Sequence, residues 1–338
     1  MSKEVATIWL TNYCNMDCTY CYENKKKHEK RSKYKAGEVI KFIKKRIEVN
    51  RLSEYIIRFH GGEPLLNAET IQIFLRELKS VKKCKIRYYI TTNGTLYNEK
   101  IEKILVHMDE ISISIDGNKK IHDQQRIDKN GNGTFDLVIK NYEKIKQVNQ
   151  NTSIRMTITP NNIDFLFESI KELEFHYRIK RFIPQIDFTA KWNEEHYDSL
   201  ILQFTRIKKY ILGKDIYISL IEQKPNKRGK CTGGEDTIQI DCNGIIYPCL
   251  MAVGRKEFII GDIKEGIREF WKRKLEHINQ KRNSECIGCS YIDYCINTRC
   301  KIINYILTNQ SNKVNENFCM YENLRYYLMT KNFMNEKI

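Results

Sequence analysis

Three cysteines, Cys14, Cys18 and Cys21, fall three residues and then two apart within LTNYCNMDCTYCYE, residues 10–23. Thiolates are the usual protein ligands of iron–sulfur clusters. A four-iron cube has four corners, so three ligands leave one iron open to a substrate or cofactor. The spacing therefore reads as a reactive site. The competing readings are a zinc site or three unrelated buried cysteines, but zinc needs a fourth ligand and usually shows paired C-x2-C knuckles. A second block, Cys231, Cys242, Cys249, Cys286, Cys289, Cys295, Cys300 and Cys319, places eight of the twelve cysteines in about the last third of the chain. Such density with little apolar periodicity implies that metal ligation supplies much of that region's folding free energy, with a pair of zinc knuckles as the alternative. The remaining Cys84 reads as a core-edge thiol.

Stepping from these side chains to what must carry them, 338 residues with 41% apolar content can form a full barrel-like domain and a smaller one. No secretory h-region and no run of about 18 apolar residues occurs, which reads as cytoplasmic with no membrane partner. Reduced thiols there favour metal or redox chemistry over disulfides. Lys and Arg outnumber Asp and Glu by 58 to 42, a net charge of +16. Its densest run, Lys25 to Lys35, reads first as a solvated face and next as attraction for an acidic peptide; nucleic acid comes last, because no binding motif accompanies the charge.

The apolar periods alternate. Val5 to Leu10 reads as a buried strand delivering the cysteine loop at its C-terminal end, and Ala36 to Asn50 as a helix. Tyr55 to Phe59 is the next strand, running into His60-Gly61-Gly62-Glu63-Pro64, where two glycines allow close backbone approach to a ligand. A helix through Ile71 and Leu78, a strand Lys85 to Thr91 closed by Thr92-Asn93-Gly94, and a helix through Ile101 and Leu105 follow. Ile111, Ile113 and Ile115 mark a fourth strand, Phe135 to Ile145 a helix, Ile154 to Thr159 a fifth strand, Ile163 to Tyr177 a helix and Arg181 to Phe188 a sixth strand. Six such units imply a parallel, right-handed partial barrel. Arg155 in an apolar strand is costly unless it meets an anion or reaches an exposed rim. Trp192 to Leu212 is a helix and Asp215 to Leu220 a short strand. Asn243-Gly244 signals a hairpin that folds Cys249 back beside its first strand.

The motif C-x3-C-x-Tyr-C after a first strand resembles the signature of radical S-adenosylmethionine enzymes, and GGEP after the second strand resembles that family's second motif. The resemblance covers roughly residues 3 to 190 and implies the family's partial (β/α)6 TIM-like barrel. It also implies that a 4Fe-4S cluster on Cys14, Cys18 and Cys21 binds S-adenosylmethionine and cleaves it to a deoxyadenosyl radical. By the same resemblance the Tyr20 backbone meets adenine, and Gly61, Gly62, Glu63 and Pro64 satisfy the methionyl ammonium, through backbone and the Glu side chain. SISIDGNKKIHDQQR resembles the stretch whose serine and arginine hold the cofactor's carboxylate and ribose, here Ser114 and Arg126. Arg155 is a further candidate for the carboxylate or a substrate group, and Ser114 reads equally as a small inward-facing barrel residue.

The order C-x12-G-x4-C, C-x2-C-x5-C-x4-C and a last Cys resembles the SPASM domain of radical enzymes that modify peptides and proteins. That resemblance implies two auxiliary 4Fe-4S clusters, one on Cys231, Cys249 and Cys300 and one on Cys286, Cys289, Cys295 and Cys319, making three clusters in all. The gap before Cys300 is one residue longer than usual. Cys242 is additional, and reads either as a ligand completing the first auxiliary cluster, or as a free turn cysteine or hydrogen donor. The expected organisation is a barrel over 1–190, a bridge over 191–229 and a SPASM domain over 230–338. In sulfatase maturases of this architecture an aspartate base follows Tyr-Pro-Cys; here that place is Leu250, which moves the weight to maturation of a ribosomally made (RiPP) peptide, thioether crosslinking first. Epimerisation, formylglycine formation and a non-catalytic cluster or zinc protein are the alternatives. The resemblance implies a precursor peptide and an electron donor such as flavodoxin or ferredoxin as partners. With the first strand starting almost at Met1, leader recognition is expected from the barrel mouth, a partner protein or the basic surface.

Overall fold

The computed structural model describes residues 2–21, 32–222 and 226–330; most of the basic run from Lys25 to Lys35 lies outside them. The chain packs as two compact units, the first of residues 1–113, 126–152 and 232–278, the second of 114–125, 153–231 and 279–338.

In the first unit, β1 (Lys3–Trp9), β2 (Glu54–His60), β3 (Lys85–Thr92) and β4 (Glu110–Ser114) pair in parallel in that order. They are joined by α1 (Ala36–Val49), α2 (Ala68–Leu78) and α3 (Glu99–Leu105). Each helix buries the stripe its periodicity marks: Val39, Ile40, Ile43 and Ile47 on α1, Ile71, Phe74 and Leu78 on α2, Ile101, Ile104 and Leu105 on α3. The strands carry Ala6, Ile8, Ile56, Ile57, Ile90 and Ile113 into the core, the mark of parallel strands covered on both faces. α4 (Lys119–Gln125) belongs to the second unit, and α5 (Phe135–Val148) closes the first unit's helical set.

The second unit holds β5 (Thr152–Ile158), α6 (Leu166–Tyr177), β6 (Arg181–Ile186), α7 (Glu194–Ile211) and β7 (Tyr217–Ile218), with β6 parallel to both β5 and β7. The sixth and seventh strands are shorter than their apolar runs suggest, and Pro184 inside β6 withholds a ladder donor.

The antiparallel hairpin β8 (Thr237–Ile240) and β9 (Ile245–Tyr247) folds at Asn243-Gly244, but β8 also lies parallel to β1, from Val5↔Thr237 to Ile8↔Ile240. A buried bidentate pair fixes this edge: Arg46 of α1 donates to Glu4 at 2.6 and 2.7 Å and to the Glu235 carbonyl at 3.3 Å. β10 (Gly261–Asp262), β11 (Gly266–Ile267) and α8 (Phe270–Gln280) follow. Residues 232–278 thus pack with the N-terminal strands in the first unit. α9 (Ile296–Arg299), α10 (Lys301–Thr308) and α11 (Glu316–Thr330) complete the second unit. Against the expectation of little apolar periodicity, α11 buries Phe318, Tyr321, Leu324 and Leu328 at helical spacing. Its rings pack on Phe188, 4.8 Å from Phe318 and 5.2 Å from Tyr321 between centroids.

Candidate active site

The cysteine loop leaves β1 at Trp9 and is zipped to the turn after β2 by three backbone bonds. Leu10 N–H donates to the His60 carbonyl (3.0 Å), Gly62 N–H to that of Thr11 (2.9 Å) and Glu63 N–H to that of Tyr13 (3.0 Å). This zip is why the turn is glycine. A Cβ on Gly61, whose φ is +142°, would stand 2.2 Å from the Thr11 oxygen, and one on Gly62 would stand 2.1 Å from the Tyr13 oxygen. The backbone that the two glycines admit is the chain's own cysteine loop.

Glu63 is fully buried, and its side chain accepts three hydrogen bonds from within the protein. One oxygen accepts from Leu65 N–H (3.0 Å) and Thr92 Oγ1 (2.8 Å), the other from Asn93 N–H (2.7 Å). It joins the β2 turn to the end of β3. Burial pushes its carboxyl up to about 7 although three donors pull the other way. Pro64, also buried, opens a 3-10 turn to Asn67.

The three thiols are half-buried. Cys14 Sγ accepts from Met16 N–H at 3.4 Å and from Asn93 Nδ2 at 3.6 Å. Burial pushes the Cys14 thiol up, helped by Glu63 and Cys21, while the Met16 and Asn93 donors pull it down. Cys21 N–H donates to the Cys18 carbonyl at 3.1 Å. Arg126, 7% exposed, brings Nη1 to 3.9 Å from Cys18 Sγ and stacks its guanidinium 5.4 Å from the Tyr20 ring centroid. Three sulfurs on one pinned loop, met by an amide, a backbone N–H and a cation, form a donor set suited to thiolates holding a cluster. Thus Cys14, Cys18, Cys21, Tyr20, Arg126 and the Gly61–Pro64 turn are brought together in the first unit.

Ser114 and Arg155 belong to the second unit. Ser114 is buried at the end of β4. Arg155 is half-buried on β5, its carbonyl accepting from Ile115 N–H at 3.0 Å and its Nη2 donating to Gln185 Oε1 at 3.3 Å.

In the second unit Cys286, Cys289, Cys295 and Cys319 lie within mutual electrostatic reach. Burial raises the Cys286 thiol, with Cys319 and Cys289 adding to it; burial takes Cys295 up to about 12, with Glu322 and Cys319 adding. A cationic metal centre would favour the thiolate form of such coupled thiols, although among the described residues no three His, Cys, Asp or Glu side chains are drawn together as a metal-holding group. Glu322 accepts from Ile296 N–H at 3.0 Å and pairs with buried Arg325 at 2.8 Å, tying α11, which carries Cys319, to the segment after Cys295. Cys231 and Cys300 are half-buried in the second unit, Cys231 bonded through its backbone to Asn279; Cys249 is half-buried in the first. Cys242 is fully buried in the first unit. Its Sγ donates to Asn12 Oδ1 at 3.2 Å and to the Trp9 carbonyl at 3.6 Å. This additional thiol is packed as a donor behind the N-terminal cysteine loop. Cys84 is buried at the start of β3, its Sγ bonded to the Lys85 carbonyl. Leu250, 37% exposed, opens a 3-10 turn after Cys249.

Sequence reasoning read Asn93 only as a turn residue and passed over Asn15 and Thr95. Asn93 Nδ2 also donates to Asn15 Oδ1 (2.9 Å), Thr95 N–H donates to Asn93 Oδ1 (3.0 Å), and Asn15 Nδ2 donates to Thr95 Oγ1 (2.8 Å). Nothing local marks this network, because Asn93 and Cys14 stand 79 residues apart.

The model of the radical SAM superfamily matches residues 8–173, and that of an iron-sulfur cluster-binding domain, SPASM, matches residues 231–290. An uncharacterized protein of Methanocaldococcus jannaschii is 30% identical over 71% of this chain and 82% of its own length. A radical SAM cyclopropyl synthase of Paramaledivibacter caminithermalis is 24% identical over 85% of this chain, which spans 65% of that relative. A cysteine-type anaerobic sulfatase-maturating enzyme of Clostridium novyi is 27% identical over 83% of each chain. Among solved structures, native anSMEcpe with bound AdoMet and a peptide, Cp18Cys, superposes with a TM-score of 0.77 at 21% identity over 96% of each chain.

Proposed function

The chain belongs to the radical SAM superfamily and carries a SPASM iron–sulfur domain, and from that premise we propose that it is a maturase of a ribosomally made peptide that forms a thioether or related crosslink. The observation that carries the reading is the Cys14, Cys18 and Cys21 loop held by the Gly61–Glu63 turn, in one chain with the separate Cys286, Cys289, Cys295 and Cys319 set. The three thiols of the first loop would hold the catalytic cluster. Tyr20, Gly61, Gly62 and Arg126 would face S-adenosylmethionine. Cys286, Cys289, Cys295 and Cys319 would hold an auxiliary cluster, with Cys242 left as a packing thiol. When bound, cluster and S-adenosylmethionine together supply one-electron hydrogen-atom abstraction. The chain's own residues pin the cysteine loop (Gly61, Gly62), fix the turn beneath it (Glu63) and place a cation beside Cys18 (Arg126).

A peptide substrate is supported by the relative named as a sulfatase-maturating enzyme and by the peptide-bound neighbour. The same relatives support a second reading, formylglycine formation on a protein. Leu250, half-exposed where those maturases carry an aspartate base, favours the crosslinking reading. The reaction needs a one-electron donor such as flavodoxin or ferredoxin, and the cytoplasm supplies both that and reduced thiols.

The test is anaerobic co-expression with the short cysteine-containing reading frame nearest the gene, followed by mass spectrometry. Loss of two hydrogens per site with a blocked thiol is the expected result. Unchanged mass with a racemised centre would mean epimerisation, a formylglycine product would give the second reading, and no change in any candidate peptide would overturn both.

A further inference from the structure

We propose that Asn93 is a positioning residue that sets the reduction potential of the N-terminal cluster through an N–H···S bond to Cys14; this rests on the reading that Cys14, Cys18 and Cys21 hold a four-iron cluster. The side-chain amide of Asn93 brings Nδ2 to 3.6 Å from Cys14 Sγ. It is aimed there by three constraints. Its second N–H is used by Asn15 Oδ1 at 2.9 Å, its carbonyl oxygen accepts from Thr95 N–H at 3.0 Å and Thr95 Oγ1 at 2.7 Å, and its backbone N–H is held by buried Glu63 at 2.7 Å. The residue is 7% exposed, so water does not compete freely for the sulfur.

The orientation has a definite sign. A donated N–H withdraws electron density from a ligating sulfur and stabilises the extra electron of the reduced cluster, raising its potential. With Met16 N–H at 3.4 Å, Cys14 has two such donors, one of them backbone and beyond the reach of side-chain substitution. Asn93 is therefore the adjustable donor on this ligand. It also couples the far end of β3 to the loop after β1.

The test uses the full chain, anaerobically reconstituted, and follows the component of the reduced electron paramagnetic resonance signal that responds to added S-adenosylmethionine during a redox titration. Asn93→Asp keeps the oxygen that accepts from Thr95 but loses the N–H donor, whereas Asn93→Ala loses both. Both variants should retain iron on the N-terminal loop and move its midpoint potential to more negative values. Asn15→Ala, which releases the group that aims the amide, should give a smaller shift in the same direction and serves if an Asn93 variant fails to fold. A potential unchanged in Asn93→Asp, with iron retained, would overturn the proposal and leave Asn93 a turn residue. Loss of that cluster from folded Asn93→Asp and Asn93→Ala would also overturn it, by showing that the amide seats the sulfur and does not tune it. Failure of the underlying reading looks different: Cys14→Ala would then leave both iron content and the cofactor-responsive signal unchanged.

Discussion

A carboxylate with no exposed surface is costly, and Glu63 carries that cost at the centre of the site's scaffold. Its pKa is raised from the usual carboxylate range to about 7 by burial. The folded chain therefore holds a proton that the unfolded chain has already released between about pH 4.5 and 7. Stability from this group is complete below that window and is lost as pH rises through it, by a few kcal/mol at most, on the scale of about 1.4 kcal/mol per pKa unit. Glu63→Gln removes the titration and turns an amide donor toward either Asn93 N–H or the Leu65 and Thr92 donors. Urea midpoints measured across this window should fall for the parent chain and stay comparatively flat for Glu63→Gln. The same slope in both would refute the assignment. Glu63 was legible as a motif residue because Gly-Gly-Glu-Pro is contiguous; that its side chain faces β3 was not, because its three donors come from Leu65, Thr92 and Asn93 on two different elements.

At the scale of elements, the decisive contact is between the loop after β1 and the turn after β2. A side chain on Gly62 would approach the Tyr13 oxygen at 2.1 Å and Cys14 N at 2.9 Å, and both are backbone atoms with little room to yield. Gly62→Ala should displace the loop at Cys14, lowering iron retained on the N-terminal site and destabilising the chain by roughly 1–3 kcal/mol through overpacking. Iron analysis and thermal melting check this, and normal iron with a normal melt would refute the zip. Gly37, with nothing within 4 Å of a built Cβ, is the matched control. Strands and helices up to β6 were readable because each buries its stripe at its own period, apart from the seven-residue α4 (Lys119–Gln125), which is too short to show one. The pairing of β8 with β1 was not readable, since TIQI marks a strand without naming its neighbour.

On the scale of the whole molecule, the two units rest on different supports. The first has parallel strands most of whose apolar residues are covered, whereas the end of the second gathers Cys286, Cys289, Cys295 and Cys319 near the buried Glu322–Arg325 pair. Removing iron should therefore loosen residues 286–319 and leave β1 to β3 protected, because only the former lose a metal-supplied contribution to folding. Hydrogen exchange on chelated and reconstituted protein checks this, and equal protection in both states would refute it. Within α11, Phe318, Tyr321 and Leu328 should keep more protection than the cysteine loops, since apolar burial survives the loss of metal. By itself the sequence determined the family and the class of fold: residue type, motif spacing and apolar period are local properties, so C-x3-C-x2-C, GGEP and six alternating units stand in the order of residues. Only the tertiary structure decided that the glycines serve the cysteine loop, that Cys242 is packed against β1, that residues 232–278 join the N-terminal strands and that Asn93 reaches Cys14. Each of these depends on which distant segments meet, and that is set by the packing of whole faces and not by any stretch of chain short enough to read.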